Sequence, residues 1–118
     1  MNKEFKIPVN KEDRYIFLIK VLGLFVEEYT ALSKREIDVL AELYKLNHKY
    51  SSTPEEDRGK LIFHADNKVI IANKLNITTF NLHNIISSLT KKGFKDELGL
   101  PKVIPMMESI TLKFIDND

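Results

Sequence analysis

Residues 68–87 read KVIIANKLNITTFNLHNIIS, and the rest of the chain is arranged around this stretch. Ile71, Leu75, Ile77, Leu82 and Ile85 recur at helical spacing on either side of a single break. The pattern predicts two short helices joined by a tight turn. Ala72 is the small residue at which two helices can approach closely. Asn76 falls in the turn, and after glycine asparagine best tolerates a left-handed backbone. Thr78 is placed to cap the second helix, its hydroxyl accepting from a free backbone N–H.

These residues carry a resemblance. A small residue, a turn residue four places later, and apolar residues on both sides of the turn make a pattern similar to the helix-turn-helix of bacterial and phage DNA-binding proteins. Ala72, Leu75, Asn76 and Ile77 match it, and Leu82 and Ile85 match the buried positions of the second, recognition helix. The departure is Asn76, where glycine is commonest; both residues fit the same backbone. The resemblance covers roughly a sixth of the chain. It implies a mainly α chain with a small β component, a winged helix-turn-helix, whose helix over about residues 79–92 enters the major groove.

On a helix starting at Thr79, Leu82, Ile85, Ile86 and Leu89 share one face, while Thr79, Phe80, His83, Asn84 and Ser87 fall opposite. In a DNA reader this opposite face, with Thr78, meets the duplex. Asn84 suits a bidentate pair with adenine, Phe80 a thymine methyl, and His83 and Ser87 a base edge or a phosphate. The lysines Lys68, Lys91, Lys92, Lys95 and Lys102 would neutralise phosphates. The net charge of +1 is low for a nucleic-acid binder, and no arginine lies beyond Arg58. The charge is nonetheless uneven. Residues 1–60 balance, whereas residues 68–102 carry Lys68, Lys74, Lys91, Lys92, Lys95 and Lys102 against Asp96 and Glu97. The same segment reads equally well as a solvated lysine-rich face, and an exposed Phe80 equally suits a protein partner.

Outward from this centre, residues 5–9 (FKIPV) read as a short strand that Pro8 confines to an edge, and Asn10 as a cap for the next helix. Residues 15–29 (YIFLIKVLGLFVEEY) predict one helix within 10–30. Its main stripe is Tyr15, Leu18, Ile19, Leu22, Phe25, Val26 and Tyr29; Phe17, Val21 and Leu24 widen it. Either this helix is central to the core, or its second face joins two copies into a homodimer. It is too short to span a membrane. Ser33 and Glu36 form a capping box for a helix over 33–47, with Ile37, Leu40, Leu43, Tyr44 and Leu46 inward. The phrase ALSKREIDVLAELY over residues 31–44 is similar to the opening helix of response-regulator and sigma-factor DNA-binding domains.

Residues 47–60 form a polar connection in which Pro54 starts a helical turn, and Leu61, Ile62 and Phe63 read as a short strand. Asp66 or Asn67 would cap the first helix of a helix-turn-helix over 66–92, and Gly93 would end the second. Residues 94–115 hold a wing and a terminal strand. In this reading residues 110–115 (ITLKFI) pair either with residues 94–97 or with residues 5–9.

At 118 residues the chain predicts one domain. It contains no cysteine, which excludes a disulfide framework and a thiolate metal or redox site. His48, His64 and His83 show no metal-ligand spacing, and no phosphate loop or nucleophile elbow is present. The expectation is therefore a protein without metal, cofactor or catalytic residues, not an enzyme. It would bind double-stranded DNA as a transcriptional regulator in the cytoplasm of a bacterium or phage-infected host, a setting that the lysine-, asparagine- and isoleucine-rich composition also suggests. The alternative is a phage or bacterial structural or adaptor protein using the same helix pair against other protein subunits.

Overall fold

The computed structural model describes residues 3–9, 13–96, 99–101 and 110–116. In chain order the elements are β1 (Lys3–Val9), α1 (Arg14–Leu22), α2 (Glu27–Thr30), α3 (Lys34–Lys49), α4 (Glu55–Ile62), α5 (Ala65–Leu75), α6 (Thr79–Lys91) and β2 (Ile110–Asp116). The chain is mainly helical, as expected. It divides into a first unit, residues 1–32 with 104–118, and a second unit, residues 33–103; one domain was the expectation.

In the first unit β1 and β2 pair in parallel, Lys3 with Ile110 through to Val9 with Asp116. Of the two pairings open to residues 110–115, the structure has the one with the N-terminal strand, so no wing hairpin forms with residues 94–97 among the described residues. The single helix expected within 10–30 is broken. After α1 the chain tightens into i→i−3 bonds, Leu24 N–H to Val21 O and Phe25 N–H to Leu22 O, and Val26 is extended before α2 begins. Gly23, a poor helix former, opens this break. The Thr30 hydroxyl reaches back to the carbonyls of Gly23 and Val26. Apolar periodicity does not register the interruption, because Ile19, Leu22, Val26 and Tyr29 are all buried across it. Phe25, expected in the stripe, is exposed together with Phe17 and Leu24. Asn10, expected as a cap, lies outside the described residues.

In the second unit α3 packs against α4, α5 and α6, and α5 against α6. The capping box at its start is complete: Ser33 Oγ accepts from Glu36 N–H, and Glu36 Oε1 accepts from Ser33 N–H at 2.8 Å. Leu40, Leu43 and Tyr44 are buried as expected, Ile37 and Leu46 are half-buried, and Val39 and Ala41 join the core. Leu61, Ile62 and Phe63 do not form a strand. They finish α4, a two-turn helix opened by Pro54 and by Glu55, Glu56 and Asp57, acids that suit the positive end of the helix dipole. Arg58 fastens the preceding loop through the carbonyls of Ser51 and Thr53 and the Asn47 side chain.

Candidate nucleic-acid interface

The helix pair is built as the sequence implied. α5 ends on Asn76, whose backbone at φ 56° and ψ 47° is left-handed. Ile77 N–H returns to Ala72 O at 2.9 Å, closing the end of the helix. The Arg35 guanidinium adds a bond to Leu75 O, the last carbonyl of α5. Ile77 and Thr78 complete the turn, and Thr78 Oγ1 accepts from Asn81 N–H at 3.1 Å. At the start of α5 the cap is neither Asp66 nor Asn67. His64 takes that role, Nδ1 accepting from Asp66 N–H. Asn67 instead donates to Leu61 O and Tyr50 Oη. At its far end α6 closes on Gly93, φ 91°, with Phe94 N–H bonded to Leu89 O and the Phe94 ring buried.

Ile71, Ala72, Leu82 and Leu89 are buried, with Leu75, Ile77, Ile85 and Ile86 half-buried around them. This fixes the rotation of α6. Thr78, Thr79, Phe80, His83, Asn84 and Ser87 are all exposed, and Asn81 and Thr90, which sequence reading passed over, join them. Phe80 is 73% exposed. On α5 the exposed residues include Val69 and Ile70, the latter 62% exposed. No signal in the helix-turn-helix pattern marked these two, because in sequence they extend the apolar run of Ile71 and Ala72.

The electrostatics are more selective than the lysine count suggested. Residues 67–95 contain no acid. Two of their lysines are nevertheless claimed by carboxylates of α3. Lys74 pairs with Glu42 at 3.2 Å, and Lys92 with the buried Glu36 at 2.8 Å. Glu36 also accepts from Ser88 Oγ at 2.7 Å, so its carboxylate ties the start of α3 to the last turn of α6. Burial alone would raise the Glu36 carboxyl. The hydrogen bonds from Lys92, Ser33 N–H and Ser88, with the Lys92 charge, more than offset this and hold it at about 2. Lys95 is half-buried with its ammonium 4.5 Å from the centre of the Phe63 ring. Lys91 is exposed and Lys68 half-buried, neither with an acid partner among the described residues. Lys102 lies outside the described residues. Beyond α6 a short loop is closed by an antiparallel bridge between Lys95 and Pro101, with Leu100 N–H held by the Asp96 carboxylate.

Among the described residues no group of histidines and acids is placed to hold a metal ion, and no helix is long and apolar enough to cross a membrane. Comparison with protein families, with curated proteins and with solved structures finds no match to this chain.

Proposed function

We propose that the second unit binds double-stranded DNA, with α6 in the major groove, and that the chain acts as a transcriptional regulator in the cytoplasm of a bacterium or phage-infected host. One observation carries this reading. The outward face of α6 offers hydrogen-bonding side chains, one aromatic ring and, at its last residue, Lys91, within a segment free of acids, so nothing on it repels a polyanion. In this reading the loop closed by the Lys95–Pro101 bridge, which follows α6, would serve as the wing. Among the described residues of this segment, Lys68, Lys91 and Lys95 are the cations left for phosphates; Lys74 and Lys92 are held by α3. Titrating a labelled duplex at several salt concentrations tests this. Three phosphate contacts give a log–log slope of about −3. A slope near zero, or no binding at low salt, rules the reading out.

A second reading is favoured by Val69, Ile70 and Phe80, three apolar side chains left exposed on α5 and α6. Such surface suits a protein subunit, as in a structural or adaptor role. Ile70→Ser separates the two: it leaves duplex affinity within about two-fold if the DNA reading holds, since an apolar α5 side chain adds no phosphate contact.

A further inference from the structure

The outward face of α6 points to more than duplex binding in general. We propose that it selects A·T base pairs through their major-groove edges, Asn84 reading adenine and Phe80 the thymine methyl; this rests on the duplex-binding reading above.

The inference begins with what the face lacks. Guanine is read most often by arginine or lysine, bidentate to O6 and N7. In the second unit both arginines are spent on the protein's own backbone, Arg35 on Leu75 O and Arg58 on the carbonyls of Ser51 and Thr53. Lys74 and Lys92 are held by Glu42 and Glu36. Lys91 is exposed but sits at the final residue of α6, away from the N-terminal turns that meet base edges in such helices. No carboxylate is present to accept from cytosine N4.

What the face contains matches the other base pair. Asn84 is exposed, one turn from Phe80, and an amide can donate to adenine N7 and accept from N6 together. The Phe80 ring is 73% exposed, at the second residue of α6. It is a large apolar surface where a DNA reader meets the thymine C5 methyl. Four residues along a helix are about 6 Å, roughly two base steps of 3.4 Å, so the two side chains fall on base pairs about two steps apart. Asn81 and His83 add hydrogen-bonding capacity beside them.

The experiment is selection of bound duplexes from a random library by the full chain, followed by titration of single duplexes. A·T-rich sequences are expected to be enriched and to bind ten-fold or more tighter than G·C-rich ones. Replacing adenine by 7-deazaadenine removes N7 and is expected to weaken wild type at least five-fold while leaving Asn84→Ala unchanged. Replacing thymine by uracil removes the methyl and is expected to weaken wild type but not Phe80→Ala. Both variants change exposed residues, and circular dichroism checks that they remain folded. Binding without base preference, or a G·C preference, overturns the inference and leaves the duplex-binding reading standing. An A·T preference that survives both base analogues also overturns it, since shape and not the base edge is then being read. Failure to bind any duplex at low salt removes both.

Discussion

Asn76 is the only residue other than glycine with a positive φ among the described residues, and it was readable in advance. The reason is local: a side-chain type that tolerates the left-handed region stands between two apolar runs whose helical phases do not join. Replacing it with glycine should leave stability nearly unchanged or slightly raised. Asn76→Val should cost about 1–2 kcal/mol, the penalty of a left-handed backbone for a side chain that cannot compensate locally; chemical denaturation of the two variants measures this. Glu36 was only half readable. Its bond with Ser33 spans three residues, but Ser88 and Lys92 lie 52 and 56 residues away, and no periodicity in the sequence joins them. Its carboxyl sits at about 2 against an ordinary 4.5. A folded pKa below the unfolded one contributes stability that is fully present above pH 4.5 and is lost as pH falls towards 2. Allowing for the Lys92 head group being more than a third exposed, the contribution is about 2 kcal/mol. Glu36→Gln should lower the melting temperature at pH 7 and flatten its decline between pH 5 and 2.

At the scale of elements, α3 and α6 were legible because each carries its own start, Ser33 with Glu36 and then Thr78, and α6 also its stop, Gly93. The rotation of α6 follows from its apolar positions, and the structure refines what each is worth. Leu82 is fully buried, so Leu82→Ala should cost about 2–5 kcal/mol. Ile85 is half-buried and Ile85→Ala should cost less than Leu82→Ala. His83→Ala and Asn84→Ala should stay within about 0.5 kcal/mol. Thermal melts of the four variants give the order directly, and His83→Ala costing as much as Leu82→Ala would mean a different helix rotation. The misread elements share a cause. Leu61, Ile62 and Phe63 are too few for their spacing to tell strand from helix, and the acids and proline that set α4 lie four to seven residues before Leu61. In residues 15–29 the burial pattern continues through the break between α1 and α2, leaving Gly23 as its sole mark.

For the whole molecule, composition and length bounded the class, whereas the division into two units was invisible. No linker-like stretch separates Leu32 from Ser33, and the pairing of β1 with β2 joins residues more than a hundred positions apart. Assembly belongs to this scale. Leu24 is 77% exposed, with Phe17 and Phe25 also outside. We propose that this surface of the first unit joins two copies, which would present two half-sites to a duplex. Sedimentation at micromolar concentration should then show a dimer that Phe17→Lys with Leu24→Lys converts to a folded monomer. A wild-type monomer at every concentration refutes it.

The Glu36 carboxylate has one more consequence. The same oxygen, Oε1, accepts from the backbone N–H of Ser33 and from Lys92 Nζ, each at 2.8 Å. The first residue of the second unit and the residue that ends its last helix thus meet on one carboxylate oxygen. A segment whose entrance and exit lie side by side can be lifted out and spliced into a surface loop of an unrelated scaffold, since the host chain leaves and returns at nearly one point. Residues 33–92 transplanted in this way carry their helix pair as a portable cassette, in a host of any oligomeric form.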